Sequence, residues 1–160
     1  MTELLPAMGH DSFQHLENWA RGAGEAAVAE SREGLMLAVA DPGGSVHIWP
    51  LDWCHMADDR HAFGYCRGEL AHRVEEVGGV GHALFVPSWI GDDGTVWALS
   101  PDEPTPGPEY ARALLLSVAC ADERALLVGT VGEGPPRRLE HWDRTRTGVV
   151  EAEALALRVG

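Results

Sequence analysis

The chain has 160 residues, of which 45% are hydrophobic and 23% are charged, and its formal net charge is −13. This length and composition are typical of one globular domain and exclude a disordered chain, which would hold fewer apolar residues. The negative charge disfavours binding to nucleic acid or to an anionic membrane surface, because the chain would be repelled by their phosphates.

The N-terminus and the cysteines indicate where we expect the protein to act. The opening residues, Met-Thr-Glu-Leu-Leu-Pro, lack the basic and apolar runs of a secretory signal. The most apolar stretch, 113–121, is too short to cross a bilayer. Three widely spaced cysteines do not make a disulfide framework. We therefore predict a soluble, cytoplasmic protein with a single domain over 1–160, in which 1–10 form a loose lead-in.

The first half of the chain predicts two helices separated by a hairpin. Ser12 is predicted to be the N-cap of the first helix, because apolar residues follow it at helical spacing. Two apolar runs, 35–40 and 46–49, flank the turn sequence Asp-Pro-Gly-Gly and predict a β-hairpin. Residues 51–65 are polar and are predicted to be irregular. The pattern over 66–77 predicts the second helix, which ends at a pair of glycines.

The second half of the chain predicts two further hairpins. The first pairs 82–90 with 95–99 across Gly-Asp-Asp-Gly, and the second pairs 112–120 with 125–131. Apolar residues on both faces of 82–90 predict that this strand is covered on both sides. Pro87 lacks a backbone N–H, which predicts that the strand lies at a sheet edge or carries a bulge.

These elements predict the fold class. It is α+β, with a mostly antiparallel sheet built from successive hairpins and one or two helices packed on one face. Residues 138–142 are predicted to add a strand, and the tail 149–159 favours a last strand, with a helix as the alternative. The residues expected in the core include Leu70, Leu84, Val86, Leu114, Leu116 and Leu127.

One cluster of metal-binding residue types occurs in the polar region. Cys54, His55, His61 and Cys66 are the residue types that bind zinc. Cys54 and His55 are adjacent, so their side chains diverge in an extended chain, and Cys66 lies on an apolar helix side. The spacing matches no common zinc pattern. We therefore predict no metal and no other cofactor.

Other residues with catalytic chemistry have structural explanations. Asp92 and Asp93 lie between glycines and are typical of a turn. Ser88 has no glycines around it of the kind that position a nucleophilic serine. The glycine-rich run 78–81 precedes a strand rather than the helix N-terminus that a phosphate would need. We therefore predict no catalytic residue.

The C-terminal segment differs in charge from the rest of the chain. Residues 134–160 hold five of the 12 arginines but only four of the 25 acidic residues. Arginines around an aromatic side chain can bind an anion or an acidic protein surface, although the same arginines can equally form ion pairs within the chain. The candidate binding residues are Trp53, Arg137, Arg138, His141, Trp142, Arg144 and Arg146.

The sequence therefore favours a non-enzymatic protein–protein interaction or assembly protein. Six tryptophans support this hypothesis, because tryptophan is enriched at binding hot spots, although Trp19, Trp89 and Trp97 are expected mainly in the core. The expected partner is another protein or a second copy of the chain. A small-molecule or anion-binding domain that uses the Arg137–Arg146 patch is the first alternative. A metal-assisted enzyme that uses the region 54–66 is the second.

Overall fold

The structure is a computed structural model, and it describes residues 2–5, 11–32, 34–51, 59–92, 96–98, 110–121, 123–132 and 137–144. For residues 2–4, 59–67, 96–98 and 144 it describes the backbone alone. The helices and strands are β1 (Thr2–Leu4), α1 (Ser12–Ala29), β2 (Met36–Ala40), β3 (Ser45–Pro50), α2 (Asp59–Val77), β4 (Gly81–Gly91), β5 (Val96–Ala98), β6 (Tyr110–Cys120), β7 (Glu123–Val131) and β8 (Leu139–Arg144).

The described strands form one antiparallel sheet. Its order is β1-β3-β2-β4-β6-β7-β8, and β5 pairs with β4 beyond the end of β2. The hairpins β2–β3, β4–β5 and β6–β7 are the three that the sequence predicts, and β8 is the predicted strand near 138–142. The α+β class and the hairpin organisation are thereby confirmed.

The two helices lie on opposite faces of the sheet. On the α1 face, Leu16 packs with Phe85 and Leu116 in one apolar cluster. On the α2 face, Leu70 packs with Leu84 in a second cluster. Because adjacent strand residues point to opposite faces, Leu84 and Phe85 supply both clusters from one strand. The sequence placed one or two helices on one face, whereas the structure has one on each. This arrangement agrees with the predicted cover on both sides of β4.

The predicted core residues are all buried. They occupy the middle strands of the sheet and the inner side of α2, where apolar side chains from both elements exclude water. Burying such a side chain fully contributes about 1.5–3 kcal/mol relative to leaving it exposed. The exposed fractions are 4% for Leu70, 1% for Leu84, 2% for Val86, 1% for Leu114, 0% for Leu116 and 0% for Leu127.

The expectation that the strand with Pro87 lies at an edge is wrong. β4 pairs with β6 along its whole length, and on its other side it pairs first with β2 and then with β5. Val86 and Pro87 fall between these two partners, since β2 reaches only Phe85 and β5 starts at Ser88. Among the described residues, no strand residue is opposite Pro87 on that side. This interior gap accommodates a residue that lacks a ladder donor.

Two predicted boundaries also change. Residues 51–65 are not wholly irregular, because α2 begins at Asp59, while residues 52–58 lie outside the described residues. Ser12 is the first residue of α1, and Asp11 occupies the cap position.

The tail 149–159 lies outside the described part of the chain. Neither described helix is long and apolar enough to span a membrane.

Gly22 and Gly24 in α1 differ in how closely the helix backbone approaches its neighbours at each position. A Cβ at Gly24 would lie 2.9 Å from Leu114 Cδ2, whereas a Cβ at Gly22 would meet no described atom within 4 Å. We expect Gly22→Ala to raise the free energy of unfolding by about 0.5–1 kcal/mol, because alanine favours the helix. Gly24→Ala should instead lower it, since Leu114 is buried and has little room to move. Urea unfolding of both variants checks this, and equal gains would contradict the close approach.

Candidate functional site

A groove runs between α1 and the β2–β3 hairpin on the α1 face of the sheet, and we call it the α1 groove. Its volume is about 960 Å³, near the upper end of the range of about 300–1,000 Å³ that is typical of ligand-binding clefts. The described residues that line it are Asn18, Trp19, Gly22, Ala23, Ala26, Ala27, Glu30, Arg32, Gly34, Leu35, Met36, Ile48, Pro50, Phe85 and Leu114.

Small side chains on α1 create the groove. Gly22, Ala23 and Ala26 lie on the side of the helix that borders the β2–β3 hairpin. Their side chains end at Cβ or are absent, so they do not fill the space toward Met36 and Ile48 on the opposite wall. The next stripe of α1 packs on the sheet and holds the helix in place. The groove therefore follows from the sequence of α1 itself.

Aromatic side chains form much of the floor. The Trp19 ring meets the Phe85 ring edge-on, with centroids 6.1 Å apart and an interplanar angle of 84°. Phe85 is buried, and Trp19 is half-buried. Edge-to-face aromatic pairs are favourable beyond the area they bury. The pair fixes the Trp19 ring so that part of it borders the groove.

The rim carries the polar side chains. Arg32 donates a hydrogen bond to the carboxylate of Glu30, and their side chains are 62% and 59% exposed. Asn18 accepts a hydrogen bond from the side chain of Gln14 at 3.0 Å. Because the Glu30–Arg32 pair is exposed to water, it contributes little to stability and can exchange partners.

The described lining of the groove is mostly apolar. Among its described lining residues, the ionisable side chains are Glu30 and Arg32, which pair with each other at the rim. The described floor is apolar. Such a surface gains free energy when an apolar group displaces water from it, and the rim can orient what binds.

Trp142 and His141, two residues of the predicted Arg137–Arg146 patch, lie on opposite faces of β8. Trp142 lies on the α1 face, because a Cβ at Gly24 or Gly129 would lie 3.4 Å and 3.1 Å from its ring. Its indole N–H donates a hydrogen bond to the Glu25 carboxylate at 3.0 Å. Trp142 is thus half-buried beside α1, and its contacts stabilise the packing of this helix against β8.

The structure describes the side chains of three other predicted patch residues. His141 lies on the opposite face of β8, with its Nε2 2.9 Å from a carboxylate oxygen of Asp143. Arg137 is half-buried and Arg138 is exposed. The backbone of Arg144 ends β8. Trp53 and Arg146 lie outside the described residues.

The other tryptophans that the structure describes are partly covered. Trp49 stacks on His47 with ring centroids 6.1 Å apart, and the Arg73 guanidinium lies 5.0 Å from its ring. Trp89 lies 5.0 Å from the guanidinium of Arg112. Trp19 and Trp89 are half-buried rather than wholly in the core. Of these three tryptophans, only Trp19 lines the α1 groove.

The remaining candidates for chemistry have structural roles or lie outside the described residues. Ser88 is buried and donates a hydrogen bond to the carbonyl oxygen of Val86 at 2.8 Å. Burial, aided by the charge of Glu123, raises the pKa of the buried Cys120 thiol, which makes it a poor nucleophile. No group of three potential metal ligands occurs among the described residues. Cys54 and His55 lie outside them, and α2 is described only by its backbone at residues 61 and 66.

One buried polar residue lies away from the groove. His82 is 0% exposed on the α2 face, and neither of its ring nitrogens has a hydrogen-bond partner among the described residues. Burial lowers its pKa to about 4, because the charged form is poorly solvated there. The ring is therefore neutral near pH 7 and behaves as part of the core. No sequence pattern indicated this, since His82 stands in an apolar strand.

Comparisons of the chain with protein-family models, with characterised proteins and with solved structures found no match. Function is therefore inferred from the geometry of the molecule. The sequence did carry one sign of the groove, namely the small residues at 22, 23, 26 and 27 of α1.

Proposed function

We propose that the protein is a non-enzymatic interaction protein and that it binds a partner protein in the α1 groove. The observation that carries this proposal is a groove of about 960 Å³ with an aromatic floor and small side chains along one wall. Large apolar side chains of a partner would displace water from this floor. Interfaces of this kind obtain most of their affinity from a few such anchors.

The shape of the groove favours a protein over a small molecule. Its lining on α1 extends from Asn18 to Glu30, and twelve helical steps span about 18 Å. Ala26 and Pro50, which line it, are exposed, so a bound molecule would continue onto the outer surface. The volume alone also fits a small apolar molecule, which is the second candidate ligand.

The net charge supports the proposed class of partner, and a free cysteine supports the proposed compartment. At −13, the chain would repel nucleic acid and anionic membranes, which is consistent with a protein partner or a second copy. Cys120 is a free thiol. Reduced thiols are usual in the cytosol, where we place the action of the protein.

Site-specific crosslinking tests this function. Ala26 lines the groove, whereas Ala29 is equally exposed on α1 but does not line it. We expect a photoreactive benzoylphenylalanine at position 26 to crosslink a protein in cells of the natural host, and the same residue at position 29 to give no such product. The additional change Ala23→Trp should abolish the product by filling the groove. Equal crosslinking from both positions, or none from position 26, would contradict the proposal.

A further inference from the structure

We infer that the segment bound in the α1 groove is an amphipathic helix with basic residues beside its apolar stripe. This inference rests on the proposed function and adds the chemistry of the partner. It follows from the form of the α1 ridge, the paired state of β2 and the charges around α1.

The ridge of α1 along the groove is shaped to receive a helix. Asn18, Gly22, Ala26 and Glu30 are spaced by four residues, so they form one ridge along the helix. Its two middle members are small, and a Cβ at Gly22 would meet no described atom within 4 Å. Another helix can therefore approach the middle of α1 closely, and the larger end residues would define where it lies.

The floor of the groove does not favour an extended segment. An added strand needs a free sheet edge with unpaired backbone groups. β2 pairs with β3 on one side and with β4 on the other, so it has no free edge. The groove contributes side chains instead, chiefly the half-buried Trp19 of the floor and Met36 of the opposite wall. Apolar side chains spaced by three or four residues on a helix would contact this floor and leave their own backbone hydrogen bonds intact.

The charges around α1 favour a basic partner. The last turn of α1 has no basic residue, and Glu30 follows it at the cap position. The carbonyl groups at a helix C-terminus carry partial negative charge, which adds to that of Glu30. Arg32 is the rim cation, and its pairing with Glu30 is exposed to water. A lysine or arginine of the partner can therefore share Glu30 at this end.

The net charge of the chain acts in the same direction. At −13, the whole molecule attracts a cationic segment and speeds its encounter. A second copy brings the same charge of −13, and the resulting repulsion disfavours it as the occupant. A basic helix of another protein is the occupant that fits both the groove and the charge.

Synthetic peptides of about four helical turns, or about 14 residues, provide the test. The first carries leucines on one helix side and lysines on the other, the second has glutamate in place of lysine, and the third has the composition of the first in a non-amphipathic order. Binding is measured by calorimetry and by the shift of the Trp19 indole resonance. We expect the leucine–lysine peptide to bind at least about tenfold more tightly than either of the others. Its affinity should fall as salt is raised from about 50 to about 500 mM.

A matched pair of variants locates the binding. Ala26→Trp fills the groove and should abolish binding of the leucine–lysine peptide, whereas Ala29→Trp, on the same helix outside the groove, should not. Equal binding of the non-amphipathic peptide would mean attraction by charge alone and would overturn the inference. Tight binding of the glutamate peptide, or unchanged binding to the Ala26→Trp variant, would overturn it as well. If position 26 still crosslinks a host protein while the peptide fails, the proposed function stands and the basic helix is wrong. If both fail, both are wrong.

Discussion

Replacing Leu116 with alanine is expected to lower the free energy of unfolding by about 2–5 kcal/mol. Leu116 lies in β6 and is 0% exposed. Its cross-strand partners are Phe85 in β4 and Leu127 in β7, and all three pack in the cluster beneath α1. Paired strands on both sides and a helix above leave little freedom to close the cavity. A loss of this size is a large part of the total free energy of unfolding of a domain, which is about 5–15 kcal/mol.

Leu126→Ala is the matched control for this prediction. Leu126 is also a strand leucine, but it is only half-buried, on the α2 face of β7. Less apolar surface is removed from the core, so we expect a smaller loss of stability. The midpoints of urea unfolding compare the two variants, provided that the slopes agree. Equal losses would mean that the β4–β6–β7 layer is not the rigid centre of the fold.

Acid is expected to destabilise the fold through His82. The pKa of His82 is about 4 in the folded protein, against an ordinary value of 6.5. Between these two values the unfolded chain binds a proton that the folded chain does not. Stability from this group is therefore fully present above pH 6.5 and falls as the pH drops toward 4. The shift corresponds to a loss of about 3 kcal/mol at the acid end.

Two histidine variants isolate this contribution from those of the other titrating groups. His82→Leu should flatten the fall in stability between neutral pH and pH 4, since no imidazole remains to be protonated. At neutral pH this variant should be at least as stable as the parent, because two unpartnered ring nitrogens are removed. His72→Leu, at an exposed position of α2, should keep the fall. Chemical unfolding over a series of pH values measures both, and identical profiles for the parent and His82→Leu would contradict the prediction.

The hairpins and the core were predictable from sequence because their signals are local. Asp-Pro-Gly-Gly fixes the turn between β2 and β3, and nearly continuous apolar runs mark β4 and β6 beside their turns. The start of α2 was not predictable in this way, because residues 59–65 mix polar and aromatic residues with Gly64 and carry no apolar period. The edge position expected for Pro87 failed for a different reason. The gap beside Pro87 depends on where β2 ends and where β5 begins. The end of β2 is determined by residues distant in sequence from Pro87.

The candidate site was less predictable than the fold. The lining of the α1 groove extends from Asn18 to Leu114, and its depth depends on how α1 crosses the sheet. Composition drew attention to the C-terminal arginines and Trp142 instead. A register irregularity at Thr130 and Val131 lies opposite β8, and the Trp142 ring packs beside Gly24. Neither this register irregularity nor this packing can be inferred from the spacing of residues in the sequence.

The contact between Glu25 and Trp142 has a consequence for the order of events during synthesis. These two residues are 117 positions apart, and α1 also packs on β4 and β6. The ribosome therefore releases α1 long before it supplies β8, one of the strands against which this helix packs. Contacts of such long sequence separation form late, because much chain must be ordered before they gain free energy. A nascent chain halted before β8 would lack the Trp142 contact, which would leave the part of α1 around Glu25 more accessible to chaperones.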